Sequence, residues 1–367
     1  MATRAFVVML RTKVHDHIEW PVELAEFRQL VGAAGFEVVD NIIQTRIHRH
    51  SAYLLGKGRV EDLAQRVVTE QIEVVAIYNV LTSMQKYKLQ KLLRCDVLDR
   101  YEVVLQVFEK EARDRVSQLQ LELARLQKSY PFIKVAVGER LKREKPSRGE
   151  ASRGGGEYAY HSKLQLVRKR IAKVKSELSK LRRENKSRLR ARRKLGIPMV
   201  CLVGCYNAGK TSLFNALTGA EKEVSERPFT TLASKVSHAS NPGVFFVDTI
   251  GFALGLDPSL ISAFQLNLDD MRASDVIVLV VDAADDIILL RMKIHSVLNI
   301  LDATGIERRR IILALNKADL AGTQLAEQVI PFIEKQFDLE WVAVSAATGY
   351  NLSELELLIR RRYASLA

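Results

Sequence analysis

The chain has 367 residues, 47% apolar and 27% charged, with a formal net charge of +13. That length suits two or three domains, each able to bury a core, the composition is that of an ordinary soluble protein, and the three cysteines fit a reducing cytoplasm. No run of 18 apolar residues exists, so a membrane span is excluded, and Cys95, Cys201 and Cys205 form neither a disulfide framework nor paired metal knuckles.

Residues 1–110 alternate apolar strand-like runs (5–10, 37–43, 74–78, 96–99) with amphipathic stretches (21–34, 58–71, 83–93). This pattern predicts a small parallel α/β domain. The turn Gly56-Lys57-Gly58 opens one of its helices, and either a phosphate contact or a simple strand-ending turn accounts for it.

From residue 112 the period changes. Val116, Leu119, Leu123 and Leu126, and later Leu164, Val167, Ile171, Val174, Leu178 and Leu181, recur at alternating three- and four-residue steps. They predict an antiparallel coiled-coil hairpin over 111–195. Pro131, Pro146 and Gly154-Gly155-Gly156 predict a connection that is not helical throughout.

Residues 112–195 hold 26 Lys/Arg against 8 Asp/Glu, which leaves the remainder slightly acidic. Such a surplus favours a polyanion, RNA in particular, over a merely solvated face. Arg182, Arg183, Arg190, Arg192 and Arg193 are the candidate RNA contacts. Tyr130, Phe132, Tyr158 and Tyr160 would either stack on bases or anchor the hairpin to its neighbour.

Residues 196–367 carry the chemistry. Gly204-Cys205-Tyr206-Asn207-Ala208-Gly209-Lys210-Thr211 joins an apolar strand to a helix and continues into Ser212. This is a phosphate-binding P-loop in its required context: backbone N–H groups wrap the polyphosphate, Lys210 reaches its β- and γ-phosphates, and the Thr211 hydroxyl ligates Mg²⁺. Small buried residues account for Cys201 and Cys205.

The later motifs all follow predicted parallel strands, at whose carboxyl ends ligands bind. Asp248-Thr249-Ile250-Gly251 offers a carboxylate for a Mg²⁺-bound water and a Gly251 N–H for a γ-phosphate. In Asn316-Lys317-Ala318-Asp319 the final carboxylate can accept guanine's N1–H and 2-amino groups, a pair adenine lacks. Ser345-Ala346-Ala347 would supply a backbone N–H to the guanine oxygen. Together these motifs predict a GTPase domain.

Thr230 or Thr231, within Pro228-Phe229-Thr230-Thr231-Leu232, would complete the Mg²⁺ shell only in the triphosphate state. Phe252 stands where Ras-like proteins place a water-orienting Gln, which predicts slow intrinsic hydrolysis. Asn207 sits where some GTPases recruit K⁺ beside the phosphates, and K⁺ is the expected compensation.

The whole chain resembles the HflX-type GTPases, of the Obg-like branch with a hydrophobic residue in place of the catalytic Gln. The matching stretches begin with Tyr53-Leu54-Leu55-Gly56-Lys57-Gly58-Arg59-Val60 and Val97-Leu98-Asp99-Arg100. They continue through Leu119 to Leu126, Gly154 to Gly156, Asn207 to Lys210 and Asp248 to Phe252. The resemblance singles out Thr231, before Leu232, as the switch threonine.

It also implies an N-terminal α/β domain (1–110), a basic helical hairpin (111–195) and a C-terminal Ras-like P-loop domain (196–367). The partners it implies are GTP or GDP, the large ribosomal subunit and rRNA, with ribosome splitting or rescue as the output. A monomer is the default state, since the two heptad helices need no external partner if they pair with each other. The chain departs from the usual family pattern at Cys205 and Tyr206, where Tyr and Thr are customary, and in a short Gly-rich linker. An rRNA-remodelling, helicase-like enzyme and a GTP-regulated RNA-binding adaptor are the competing readings.

Overall fold

The structure is a computed structural model that describes residues 2–12, 19–143, 155–194, 196–220, 235–238, 243–256, 260–261 and 264–366. Thr230 and Thr231 lie outside the described residues, as do Pro146, Gly154 and the basic positions Lys145, Arg148 and Arg153. The chain gathers into two compact units, 1–110 with 118–179, and 111–117 with 180–367. The hairpin is divided between them.

In the first unit, four parallel strands, β1 (Thr3–Arg11), β2 (Phe36–Thr45), β3 (Val74–Ile77) and β4 (Asp96–Asp99), lie in the order β2-β1-β3-β4. Helices α1 (Glu19–Ala33), α2 (Lys57–Thr69) and α3 (Ser83–Leu93) connect them. Phe6, Val8, Val75, Ile77 and Val97 are fully buried, each contributing about 1.5–3 kcal/mol by leaving water. Helix α3 starts at a capping box: the Gln85 N–H donates to Thr82 Oγ1 (3.2 Å) and the Thr82 N–H to Gln85 Oε1 (3.0 Å).

Sequence periodicity does not show α4 (Arg100–Glu111), because Val103, Val104, Leu105, Val107 and Phe108 are all buried and no single apolar stripe stands out.

The hairpin differs from expectation in one respect. Helix α5 (Arg115–Arg143) runs through Pro131 and α6 (Gly155–Lys194) begins within the glycine run, so more of this region is helical than its prolines and glycines suggest. The first unit holds α5 on both sides of Pro131. Lys128 Nζ lies 2.5 Å from the fully buried Asp99 carboxylate, and Lys86 stands over the Phe132 ring at 5.2 Å. Tertiary contacts of this kind outweigh the loss of one helical hydrogen bond.

Within this unit the two helices run antiparallel, with Arg170 paired to Glu122 and Arg168 Nε donating to Tyr130 Oη at 2.6 Å. Phe132 thus meets the neighbouring α/β domain through Lys86, while Tyr130 ties the two hairpin helices to each other.

The second unit holds a six-stranded sheet in the order β10-β9-β8-β5-β7-β6. Its strands are β5 (Met199–Val203), β6 (Lys235–His238), β7 (Phe245–Asp248), β8 (Val276–Asp282), β9 (Ile311–Asn316) and β10 (Trp341–Ala343). All are parallel except β6, an antiparallel edge strand beside β7. The sheet is flanked by α7 (Lys210–Thr218), α8 (Gln265–Ala273), α9 (Ile287–Ala303) and α12 (Leu352–Leu366). Two short helices, α10 (Ala318–Gln324) and α11 (Ile330–Gln336), lie between β9 and β10. Among the described residues no helix is long and apolar enough to cross a membrane.

Candidate nucleotide site and basic helix

The P-loop turns from β5 into α7, and its glycines are required by close packing. A Cβ on Gly204 (φ +152°) would lie 2.2 Å from the Val280 carbonyl oxygen, and one on Gly209 (φ +84°) would lie 2.2 Å from Asn316 Nδ2. Asn207 is also left-handed, at φ +60°, and exposed. Asparagine tolerates that backbone better than most residues, so conformation and amide chemistry favour it together.

Lys210 is buried, and its ammonium donates to the Cys205 carbonyl at 2.8 Å. Burial lowers its pKa to about 8, with the Asp248 carboxylate opposing the shift. A polyphosphate would supply the negative charge that this buried cation lacks.

At the end of β7, Asp248 is fully buried, and the Thr211 hydroxyl donates to its Oδ2 at 3.3 Å. A hydroxyl beside a carboxylate at the P-loop mouth is a hard oxygen donor set that fits Mg²⁺. Four residues further on, Phe252 is stitched to the P-loop: the Phe252 N–H donates to Gly204 O (3.0 Å) and the Tyr206 N–H to Phe252 O (2.9 Å). The Phe252 side chain is fully buried and therefore turned away from solvent. Gly251 passes so close to the P-loop that a Cβ there would stand 3.0 Å from Tyr206 Cα and 3.2 Å from Lys210 Nζ.

Asn316, at the end of β9, ties loops together. Its Nδ2 donates to Ala208 O (2.9 Å), while its Oδ1 accepts from the Ala346 N–H (3.0 Å). These two bonds join the Asn316-Lys317-Ala318-Asp319 segment to the P-loop and to the Ser345-Ala346-Ala347 segment. Lys317, left-handed at φ +61°, runs its stem alongside Gly209 and places Nζ 2.6 Å from Asp282. Asp319 is exposed at the start of α10, and Ser345 is buried, its Oγ accepting from the Thr348 N–H at 3.2 Å. The structure therefore brings the phosphate, metal and base motifs to one end of the sheet. Ser212 is half-buried in the first turn of α7.

The candidate RNA-binding arginines separate into two groups. Arg182 makes a two-pronged ion pair with the buried Asp269 carboxylate of α8, with Nη2 to Oδ1 at 2.8 Å. Asn185 Nδ2 donates to Asp270 Oδ1 at 2.7 Å, and Arg193 Nη2 donates to Ala273 O at 3.1 Å. Arg182 and Arg193 are thus engaged by α8, while Arg183 and Arg190 are exposed and Arg192 half-exposed. Sequence reasoning missed these attachments because the partners lie more than 75 residues apart.

Comparison with known proteins places the chain. Residues 22–109 match a family model described as GTP-binding GTPase N-terminal, 111–193 its Middle Region, and 199–317 a 50S ribosome-binding GTPase. The GTPase HflX of Thermofilum pendens is 34% identical over 94% of this chain and 82% of its own length. The chain belongs to the HflX GTPase family. The GTPase HflX of Escherichia coli is 30% identical over 91% of this chain and 77% of its own length.

A solved GTP-binding protein from Sulfolobus solfataricus, in complex with GDP, is 22% identical with a TM-score of 0.46, covering 99% of this chain and 100% of that one. As an HflX-family member the chain binds GTP and GDP and hydrolyses GTP.

Proposed function

We propose that this GTPase is a nucleotide-controlled switch that binds the large ribosomal subunit through rRNA contacts of its basic hairpin and separates or rescues ribosomes. The observation that carries this reading is the fastening of α6 to α8. Helix α8 follows the Asp248-Thr249-Ile250-Gly251 segment, where a γ-phosphate is sensed, and α6 is the basic helix of the hairpin. A movement of α8 on hydrolysis would act on the helix that carries the charge. The family description naming the 50S subunit supports the same partner.

In this reading Gly204, Asn207, Ala208, Gly209, Lys210, Thr211, Ser212 and Gly251 surround the phosphates. Thr211, Asp248 and Thr231 hold Mg²⁺ directly or through water, with Thr230 beside them in the switch. Asp319 reads guanine, and Asn316, Lys317, Ser345 and Ala346 shape the pocket. Because Phe252 is buried and carries no polar group, hydrolysis needs outside help, and K⁺ held by Asn207 is the proposed source. Turnover is then faster in K⁺ than in Na⁺ with ribosomal subunits present, and equal rates would remove the cation from the scheme. The protein acts as a monomer in the cytoplasm.

The deciding experiment is cosedimentation with large subunits in GDP and in a nonhydrolysable GTP analogue, with dissociation of 70S-type particles read in the same gradient. Retention that is stronger with the analogue supports the switch. Absence of retention in both nucleotides would overturn the ribosome reading and leave GTP hydrolysis untouched.

A further inference from the structure

The nucleotide motifs sit at the carboxyl ends of the parallel strands. The opposite end of the sheet is built differently. Four segments meet there: the last turn of α6, the last turn of α8, the turn Arg308–Arg310 that leads into β9, and the C-terminal half of α12. Hydrogen bonds join them. Arg193 donates to Ala273 O (3.1 Å), and Arg310 donates to Asp275 O (3.2 Å) and Arg272 O (3.3 Å). Arg362 donates to Arg309 O (2.5 Å) and pairs with Glu340, the residue before β10. Arg193 and Arg310 lie close enough that, after burial itself, Arg193 is among the causes that lower the Arg310 pKa.

Around this framework six exposed side chains are cationic: Arg190, Lys194, Arg308, Arg309, Arg360 and Arg361. Arg308 pairs with Asp302 and Arg309 with Glu307, but these arginines are 60% and 70% exposed. Exposed pairs of that kind are worth about 1 kcal/mol or less, so the carboxylates yield to a stronger anion. The cations are almost all guanidinium, whose planar fork matches two phosphate oxygens at once. A lipid surface would ordinarily take several apolar anchors beside such charge, whereas the turn Arg308–Arg310 has none and α12 exposes, among the described large apolar side chains, Leu357 alone (47%).

The six residues of β9 separate this surface from the nucleotide motifs by roughly 20 Å. A bulky ligand on it would leave the P-loop open.

We propose that this base of the GTPase domain is a second RNA-docking surface, holding the phosphate backbone of a folded RNA helix through Arg308, Arg309, Arg360 and Arg361. It rests on the ribosome reading for its choice of polyanion. Phosphate contacts of this kind position an RNA without reading its sequence. They would let the domain stay seated on rRNA while its other end exchanges nucleotide.

The test uses the full chain, a mixed-sequence duplex RNA labelled for fluorescence anisotropy, and purified large subunits, across a range of KCl concentrations. In the variant R308Q/R309Q/R360Q/R361Q, affinity for both probes should fall at least about tenfold, and the slope of log K against log salt should flatten by about two to four. GTP hydrolysis without RNA should stay within about twofold of the parent. The corresponding Arg→Lys variant, which keeps the charge and loses the fork, should recover the salt slope and part of the affinity, and a parental thermal unfolding curve for the Gln variant excludes misfolding. If the Gln variant does not fold, R360Q/R361Q, on the exposed face of α12, should show about half of the slope change.

A hairpin variant, K169Q/K173Q/K180Q, which neutralises three exposed lysines of α6 in the part that belongs to the other compact unit or borders it, separates the two proposals. Parental affinity and slope in the base variant, with a loss in the hairpin variant, would overturn the base surface and leave the ribosome reading intact. Failure of the parent to bind either probe would overturn both. A loss seen only on vesicles of anionic and neutral phospholipid, with RNA binding unchanged, would assign the surface to lipid and also overturn the proposal.

Discussion

Two glycine turns in this chain each lead from a strand region into a helix, and they have opposite characters. In the first sheet the turn before α2 is closed by its own neighbours. The Gly56 N–H donates to Gln44 Oε1 at 2.9 Å, the Arg46 guanidinium fills the space a Cβ would take, and the backbone is ordinary at φ −66°. In the GTPase domain Gly209 is left-handed and pressed against Asn316. Its neighbour Lys210 is buried, donates to the Cys205 carbonyl, and has its pKa lowered to about 8 by burial despite the opposing Asp248 carboxylate. A short Gly-x-Gly sequence therefore says little by itself. What marks a phosphate site is a strained turn with an undersupplied buried cation behind it.

The largest expected effect comes from filling the second turn. Gly209→Ala would add a Cβ 2.2 Å from Asn316 Nδ2 at a backbone angle that alanine resists. Relief requires moving Asn316 and breaking its bonds to Ala208 and Ala346. Affinity for GDP should fall by at least about 100-fold, read by fluorescence of a labelled nucleotide, at a steric and backbone cost of a few kcal/mol. Retained affinity would show that the P-loop is not the nucleotide site.

Asp319→Asn comes next. Replacing the carboxylate by an amide should weaken GTP by about 10- to 100-fold and favour xanthosine triphosphate, whose 2-oxo group the amide can meet. Unchanged preference would place base recognition elsewhere.

How much of this was legible in the sequence depends on the range over which each feature is determined. The strands β1, β3, β5, β8 and β9 stand out as continuous apolar runs because they are buried on both faces. Edge strand β6, with the sequence Lys-Val-Ser-His, has no such run and exists through its pairing with β7.

The residues that carried the resemblance in the first domain also gain physical reasons. Asp99 accepts Lys128 of α5 and the Leu81 N–H, and Arg100 pairs with the buried Glu26 at 2.9 Å. Leu54, left-handed at φ +67°, and Leu55 are fully buried. The hairpin arginines were the hardest to read. Arg182 looks like its exposed neighbours in sequence, and only the fold supplies Asp269.

That attachment sets the third, smaller effect. In a double-mutant cycle of Arg182→Ala and Asp269→Ala, the coupling measured by chemical denaturation should be about 1 kcal/mol, reduced by the partial exposure of the arginine. If α8 carries nucleotide state to α6, the coupling should differ between GDP and a nonhydrolysable GTP analogue. Identical values in the two nucleotides would make the contact a static brace.

The smallest effect returns to the closed turn. A Cβ at Gly56 would meet the end of the Arg46 side chain, 2.3 Å from Nη1, and a long guanidinium arm can swing aside where the Asn316 amide cannot. The backbone angle of Gly56 suits alanine, and alanine restricts the unfolded chain more than glycine does. Gly56→Ala should therefore shift unfolding free energy by less than about 1 kcal/mol and leave GDP affinity unchanged within about twofold. Only the Gln44 contact and the placement of Arg46 are exposed to the change. A drop in nucleotide affinity comparable to that of Gly209→Ala would mean that the first sheet takes part in nucleotide binding. The contrast between a filled turn and an undersupplied one would then fail as a guide to phosphate sites.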